Sequence, residues 1–182
     1  MKLVKENYNY YTQRNNEVDP LISCQVTAMV QALDLADIAF PPLVTFKQPE
    51  DALRDFIKRK GGNPEVHAAL SKYTNEWIGR RVTGFSTETK LQDIKADIDS
   101  GLPVVLSGSF PGYPTPRKQP LGHIVTMIGY GEEGVVIIDP YGNTLDDWKG
   151  SGQRVVLSWE RFRRWIKPRD GMDIKWAHRF YR

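Results

Sequence analysis

The sequence predicts an α+β fold, with helices in the first half of the chain and an antiparallel β-sheet in the second. In the first half, apolar residues recur at spacings of three and four, as at Val26, Met29, Val30 and Leu33. This spacing is typical of a helix with one buried face. In the second half, "GHIVTMIGYG" and "VVIIDP" are short apolar runs rich in β-branched residues and joined by "GEEG". They predict a β-hairpin.

Four helices are predicted before the sheet. The first begins at Cys24, with Ser23 as a candidate N-cap. The second, "PEDALRDFIKRKGG", has acids in its first turn and bases in its last, which complement the helix dipole, and glycines that end it. The third is "NPEVHAALSKYTNEWIG" and the fourth is "TETKLQDIKADIDSGLP". Gly101 and Pro103 end the fourth helix.

The strand predictions begin with "PVVLSG" and continue through the hairpin to "RVVLS" and a last strand around "KWAHRFY". The helix "WERFRRWI" precedes that last strand. Before the hairpin, "FPGYPTPRKQPLG" carries four prolines in thirteen residues, and we expect a loop that overhangs one end of the sheet. The chain contains no internal repeat and no linker, so residues 1–182 are expected to form a single domain.

The composition, with 40% hydrophobic and 26% charged residues, is that of an ordinary soluble protein. No apolar run approaches the roughly 20 residues of a membrane span, so no membrane insertion is predicted. The first residues, "MKLVKENYNYYTQ", lack the apolar core of a secretory signal peptide. We therefore expect synthesis in the cytoplasm without a signal peptide.

The single cysteine excludes an internal disulfide and any multi-cysteine zinc site. The net charge of +3 is mild, and we predict no nucleic-acid partner. Five basic residues lie close together near the C-terminus: Arg161, Arg163, Arg164, Lys167 and Arg169. We interpret them as the solvated face of an amphipathic helix whose Phe162, Trp165 and Ile166 face the core. Attraction to an anionic polymer is the alternative.

Three residues at element junctions suggest nucleophilic catalysis. Cys24 opens a helix, His123 opens a strand and Asp139 closes the next strand. Backbone N–H groups at a helix N-terminus favour a thiolate. An imidazole can pair with that thiolate and protonate a leaving amine, and a carboxylate can fix the orientation of the imidazole. Each residue also has a purely structural interpretation: a buried core cysteine, a hydrogen-bonding histidine and a turn aspartate.

The simple hairpin register does not bring the histidine and the aspartate together. If the strands pair without interruption across "GEEG", Asp139 lies opposite Thr126, which is three residues, or roughly 10 Å, from His123 and on the other face. A β-bulge or a shifted register is required for contact. Asn143 lies closer in the simple register and is the alternative partner for the imidazole.

Three segments, "YYTQRNNEVDPLISCQVTAMVQAL", "GHIVTMIGY" and "VVIIDPYGN", resemble the papain-fold cysteine peptidases related to the leader-peptide-cleaving domains of bacteriocin exporters. More closely, they resemble a branch found in phage and bacterial cell-wall lysins. The resemblance implies a papain-like fold with Cys24 as nucleophile, His123 as base and acid, and Asp139 as the residue that orients it. It also implies that Gln13 supplies an amide to the oxyanion hole, together with the Cys24 backbone N–H.

The sequence departs from the family pattern at two places. Gln13 lies farther from the cysteine than in exporter-type relatives, so Asn15 or Asn16 is an alternative source of the oxyanion-hole amide. The usual Gly-Pro after the nucleophile is replaced by Gln25 and Val26.

The resulting prediction is a cysteine hydrolase that cleaves an amide or peptide bond, most simply in the peptides of peptidoglycan, and that needs no cofactor or metal. It implies a peptide or peptidoglycan as partner and action on the cell wall after release, as in a phage endolysin. Tyr141 and Asn143 extend the turn after Asp139 and are predicted to bind substrate. Trp148 is a candidate shield over the imidazole–carboxylate pair.

Two alternatives remain at this stage. The first alternative to an enzyme is a catalytically inactive papain-fold module with a binding or phage structural role. The second is a metal site built from Cys24, His123 and Asp139, with His67 or His178 as a further ligand. The same thiol chemistry also serves acyl transfer and amidase reactions, which the sequence does not distinguish.

Overall fold

The computed structural model describes residues 1–114, 122–166 and 174–182. Most of the predicted overhanging loop lies outside these residues, as do Lys167 and Arg169. Within the described ranges, no helix has both the length and the apolar character needed to cross a membrane.

An antiparallel sheet forms the centre of the molecule. Among the described residues it has seven strands: β1 Lys2–Leu3, β2 Thr83–Lys90, β3 Val104–Gly108, β4 His123–Tyr130, β5 Gly134–Ile138, β6 Val155–Ser158 and β7 Ile174–Phe180. The strand order is β2-β7-β3-β4-β5-β6, and the short β1 pairs with β4. The central strand β4 is buried along almost its whole length, which explains why it appears in the sequence as a continuous apolar run.

Five helices pack around the sheet in the described part of the chain: α1 Cys24–Leu35, α2 Pro49–Arg59, α3 His67–Ile78, α4 Leu91–Asp99 and α5 Trp159–Trp165. A short 3₁₀ turn spans Gln13–Asn15. All five predicted helices are present. The first begins at Cys24, as predicted.

The prediction for the segment before α4 was wrong. Residues 87 to 90 were assigned to the helix, but they belong to strand β2, which pairs with β7 through an irregularity between Ser86 and Thr89. The helix begins only at Leu91, where the Asp93 carboxylate accepts the Lys90 backbone N–H at 3.2 Å. The β-branched residues of "TGFSTETK" pack well in a pleated strand. The first half of the chain is therefore not wholly helical.

The sheet is covered by helices on both faces. Val105 and Ile124 face the cluster formed with α1, α2 and α3. Their strand neighbours Val104 and Val125 face the cluster formed with α4 and α5, because successive side chains of a strand point to opposite faces. The Thr126 hydroxyl donates to the Ala28 carbonyl at 3.0 Å and joins β4 to α1. This contact holds the N-terminal half of the chain against the central strand.

Candidate active site

The hairpin of β4 and β5 contains the register shift that contact between His123 and Asp139 requires. Pairing begins in the simple register at the turn but shifts by one residue between Met127 and Gly129. The shift moves Asp139 to the face of the sheet on which His123 lies. The Nε2 atom of His123 is 2.8 Å from the Oδ1 atom of Asp139, and neither side chain is exposed to solvent.

The Asp139 carboxylate is held by its surrounding backbone. Oδ1 also accepts the Tyr141 backbone N–H at 2.9 Å, and the Tyr10 hydroxyl donates to the Asp139 carbonyl at 2.8 Å. The Asp139 N–H donates to the Gly152 carbonyl at 2.8 Å. Glycine is needed at position 152, because an added Cβ would lie 2.1 Å from the Asp139 carbonyl oxygen. These contacts fix the carboxylate in one orientation toward the imidazole.

Asn143 does not replace Asp139 as the partner of the imidazole. Its side-chain oxygen accepts the Leu145 backbone N–H at 3.0 Å, and its backbone bridges to Lys149, so it stabilises the loop after β5. Tyr141 packs edge-on against Tyr113, with ring centroids 5.5 Å apart. Neither Asn143 nor Tyr141 is among the residues that line the cleft beside Cys24.

Cys24 is the first residue of α1 and lines a cleft of about 310 Å³. Cys24 is only 5% exposed, so it is largely buried, but it borders an open cavity. Ser23 occupies the N-cap position as predicted, but its side chain does not cap the helix. Instead, its hydroxyl accepts the Asn16 side-chain amide at 2.8 Å.

The charges around His123 favour its protonated form. Complete burial alone would lower the pKa of the imidazole, but the charge and hydrogen bond of Asp139, followed by the nearby Cys24 sulfur, raise it to about 9. Asp139 occupies Nε2, whereas the buried Nδ1 makes no hydrogen bond within the described residues. In general, a positively charged imidazole close to a cysteine sulfur favours the nucleophilic thiolate.

Aromatic rings enclose the imidazole. The Tyr113 ring stacks on His123 with centroids 4.2 Å apart. Trp148, the candidate shield, lies edge-on at 5.2 Å, and Phe110 lies edge-on at the same distance. Sequence reasoning missed Phe110 and Tyr113. The available signal was their position directly after β3, whose last residue, Gly108, pairs with His123.

Gln13 reaches the same aromatic group. It is fully buried, and its side-chain Nε2 donates to the Pro20 carbonyl at 2.7 Å and to the Tyr113 hydroxyl at 3.1 Å. The Tyr113 hydroxyl in turn donates to the Leu21 carbonyl at 3.2 Å. Burial and the nearby Cys24 sulfur raise the pKa of Tyr113, so the phenol is neutral at ordinary pH.

The alternative amides lie elsewhere. The Asn16 side chain is buried and donates to the Ser23 hydroxyl at 2.8 Å and to the Thr27 hydroxyl at 3.1 Å. Asn15 is exposed, and its backbone carbonyl accepts the Gln48 side-chain amide. Of the three candidate amides, Gln13 is the one that contacts the aromatic group over the imidazole.

The two remaining histidines do not join Cys24 and His123 in a cluster. His67 and His178 bond to each other, with ring nitrogens 2.9 Å apart. The described residues contain no group of three or more histidines, cysteines or acids suited to hold a metal ion.

A helix-terminal cysteine, a strand-opening histidine and an aspartate on a helix-covered antiparallel sheet are similar to the arrangement of papain-like cysteine peptidases. Residues 5–165 match the family described as Peptidase_C39 like, and the chain belongs to this family of cysteine peptidases. A crystal structure from Bacillus anthracis, described as a C39-like peptidase, superimposes with a TM-score of 0.66 at 19% identity. The match covers 100% of this chain and 98% of that chain and shows a shared fold. No curated protein matches the sequence significantly.

Proposed function

We propose that the chain cleaves an amide bond of a peptide through a catalytic triad of Cys24, His123 and Asp139. One observation carries this proposal: the Asp139 carboxylate lies 2.8 Å from one nitrogen of the buried His123 imidazole, and against the effect of burial Asp139 and the nearby Cys24 sulfur raise the pKa of that imidazole. Thiol-dependent cleavage requires a base that a carboxylate holds in one orientation near the nucleophile.

In the proposed mechanism, the Cys24 thiolate attacks the carbonyl carbon of the scissile bond, and the carbonyl oxygen becomes an oxyanion. The His123 imidazolium then gives its proton to the leaving amine as the carbon–nitrogen bond breaks, which leaves a thioester on Cys24. Neutral His123 next takes a proton from water, whose oxygen attacks the thioester. Release of the carboxylic acid restores the thiolate and the imidazolium, while Asp139 stays ionised throughout. No cofactor enters these steps.

We assign the oxyanion hole to the Gln13 side-chain amide and the Cys24 backbone N–H. The assignment is supported by the hydrogen bond from Gln13 to Tyr113, because Tyr113 stacks on the catalytic imidazole and lines the same cleft as Cys24. In the free enzyme, the phenolic oxygen accepts an amide hydrogen that the substrate oxygen would accept during the reaction.

The proposed substrate is the peptide part of peptidoglycan, cleaved after release of the protein at the cell wall. This is supported by the resemblance of the Cys24, His123 and Asp139 segments to lysins of phages and bacteria. We further propose that residues 1–182 act as one catalytic domain, since strands from Lys2 to Phe180 contribute to one sheet. The exposed arginines of α5 are the proposed contact with the anionic wall.

The test is to incubate the protein and its Cys24→Ala variant with purified peptidoglycan and to identify new termini by mass spectrometry. New amino and carboxyl termini that form only with the unmodified protein are the expected result, and their identity distinguishes an endopeptidase from an amidase. Equal product patterns for both proteins would contradict the proposal for this substrate.

A catalytically inactive papain-fold module is the second candidate. Two observations favour it: Gln25 and Val26 replace the family's Gly-Pro, and Tyr113 occupies the Gln13 amide. The two candidates differ in the reactivity of Cys24, because only an enzyme needs a thiol that is activated by its histidine. Ordinary thiol reactivity, unchanged on removal of the imidazole, would support the inactive module.

A further inference from the structure

A second histidine lies in the wall of the cleft that Cys24 lines. His67 is the first residue of α3, and it borders the cavity together with Trp176 of β7. The proposed mechanism does not use this imidazole. Its position raises the question of what a histidine held at this wall binds.

His67 is the outer end of a chain of three hydrogen-bonded side chains. The Ser71 hydroxyl lies 2.7 Å from Nδ1 of His178, and Nε2 of His178 lies 2.9 Å from Nδ1 of His67. Ser71 and His178 are buried, whereas His67 is partly exposed. These hydrogen bonds involve both ring nitrogens of His178 but only one ring nitrogen of His67. The Nε2 atom of His67 has no hydrogen-bond partner among the described residues.

Aromatic contacts hold the His67 ring in a fixed plane. Phe85 of β2 stacks on it with centroids 4.6 Å apart and only 4° between the planes. Trp176 meets the ring edge-on at 5.8 Å. Phe85 pairs directly with His178 across the sheet, so stacking and hydrogen bonding are anchored on neighbouring strands. A ring fixed in this way presents its free nitrogen in one direction, which is a requirement for selective recognition.

The three hydrogen-bonded side chains of Ser71, His178 and His67 are uncharged at neutral pH. Burial lowers the pKa of His67, and burial together with the neighbouring His67 lowers the pKa of His178 to about 3. A neutral imidazole next to an indole does not attract an anion, and it offers one hydrogen bond to a neutral polar group. An amide group suits this surface, because it carries both a donor and an acceptor and no charge.

We propose that His67 and Trp176 form a substrate-binding subsite in which the His67 Nε2 hydrogen-bonds an uncharged carboxamide side chain of the bound peptide. The buried Ser71 and His178 are positioning residues that orient His67. This inference rests on the proposed function, since it concerns the peptide that Cys24 attacks.

The probes are chloroacetone, a small chloromethyl ketone without an amide group, and two series of three peptidyl chloromethyl ketones that differ in one side chain. The side chains are those of glutamine, glutamate and leucine, placed in turn at the first and the second residue before the reactive carbon. The measured quantity is the second-order rate constant for alkylation of Cys24. Chloroacetone, which has the same reactive group but no amide, reports the thiol alone, whereas the peptidyl reagents also report the subsite.

At one of the two positions, we expect the glutamine reagent to react about tenfold faster than the glutamate and leucine reagents, the selectivity of one hydrogen bond. In the His67→Phe variant, which keeps a ring to stack on Phe85, this preference should disappear. The chloroacetone rate should stay within about twofold of that of the unmodified protein. Tyr130→Phe, which removes a hydroxyl bonded to Asp99 away from this cleft, is the matched control and should keep the preference.

The outcomes separate the two proposals. A wild-type protein that shows no preference for glutamine at either position overturns the subsite, and this result needs no variant. Retention of the preference in a folded His67→Phe variant overturns it too. Slow alkylation of the wild type by chloroacetone, at the rate of a free thiol, would instead contradict the proposed catalytic triad.

Discussion

An imidazole that is fully removed from water normally loses its proton, because no solvent remains to stabilise the charge. His123 is 0% exposed, yet its pKa is raised to about 9. The cause is the placement of Asp139 on Nε2 and of the Cys24 sulfur near the ring. At the scale of the residue, the site therefore depends on two neighbours that overcome the cost of burial.

The first prediction concerns the reactivity of Cys24. Replacement of His123 by alanine should slow alkylation of Cys24 by iodoacetamide at pH 7 by about 10- to 100-fold, because the positive charge beside the sulfur is lost. The pH profile of the variant should rise with the ordinary thiol pKa of about 8.5. Rates measured by mass spectrometry between pH 5 and 10 check this, with N-acetylcysteine as the free-thiol control. Superimposable profiles for both proteins would contradict the activated pair.

The second prediction concerns stability. A rise in the pKa of His123 from 6.5 to about 9 corresponds to about 3 kcal/mol of folding free energy at 1.36 kcal/mol per pKa unit. Because the folded pKa is the higher one, this stabilisation is fully present below about pH 6.5 and is lost as the pH rises through 9. Asp139→Asn should remove most of this pH dependence, since it removes the carboxylate charge.

Urea unfolding of both proteins at several pH values between 6 and 10 measures the effect. The unfolding free energy of the wild type should fall across this range more steeply than that of the variant. Parallel curves would show that the Asp139 charge does not stabilise a protonated His123. The pKa of His123, followed by nuclear magnetic resonance in both proteins, is an independent check.

The third prediction concerns the Tyr113 hydroxyl. In Tyr113→Phe the ring still stacks on His123, but the acceptor of the Gln13 amide hydrogen is removed. Binding of a peptidyl aldehyde, whose adduct with Cys24 carries an oxyanion, should tighten about two- to tenfold, the usual net value of one hydrogen bond. Inhibition constants measure this. Weaker binding would indicate that the hydroxyl donates to the oxyanion instead of competing with it.

The residues that carry reactive groups could be found in the sequence, because their types and junction positions are visible there. Cys24, His123 and Asp139 are examples. The aromatic group over the imidazole could not be found in this way. Tyr113 contacts Gln13, which is 100 positions away in the chain. Its ring meets His123 only once β3 and β4 pair, so the contact depends on tertiary structure.

At the scale of the element, α5 illustrates a helix whose faces were predicted correctly. Phe162 and Ile166 are fully buried, whereas Arg161, Arg163 and Arg164 are exposed. The apolar face packs on the cluster that covers one side of the sheet.

The fourth prediction follows from this arrangement. Phe162→Ala should lower the free energy of unfolding by about 3 to 5 kcal/mol, because it removes a large buried ring and leaves a cavity. Arg164→Ala on the same helix should change it by no more than about 0.5 kcal/mol, since the side chain is exposed and its ion pair with Glu160 spans 3.9 Å. Denaturant unfolding of the two variants measures the contrast. Similar losses would contradict the orientation of the helix.

Helices and strands whose apolar residues recur at a regular spacing could be predicted from the sequence, and those without such a spacing could not. The apolar stripes of α1 and α4 are visible, but "TGFSTETK" lacks the continuous apolar run of a central strand because its pattern of burial is mixed. The β4 irregularity illustrates a second limit. Sequence reasoning established that a register shift was needed for His123 and Asp139 to meet, but not where it lies. The structure places it between Met127 and Gly129.

At the scale of the whole molecule, the two halves of the chain supply different parts of the site. The N-terminal half provides Gln13 and Cys24, and the C-terminal sheet provides His123 and Asp139. Backbone contacts tie the halves together, as in the hydrogen bond from the Gln13 N–H to the Pro140 carbonyl at 2.9 Å. The order of helices and strands could therefore predict the fold class, while the closeness of the two halves required the complete structure.

The fifth prediction concerns the charge of the molecule as a whole. If the basic face of α5 holds the protein on an anionic wall, Arg163→Glu with Arg164→Glu should weaken sedimentation with purified cell walls at low salt. The variant should also lose most of the salt dependence, because Coulombic attraction between exposed charges is screened above about 0.15 M salt.

Both arginines are exposed and lie away from the cleft, so the alkylation rate of Cys24 should stay unchanged and serves as the control for folding. A second variant, Lys58→Glu with Arg59→Glu, makes the same change of charge on α2 and separates a local contact from the effect of net charge. Equal losses in both double variants would assign the attraction to net charge alone. Unchanged sedimentation in the α5 variant would remove the wall contact from the proposal.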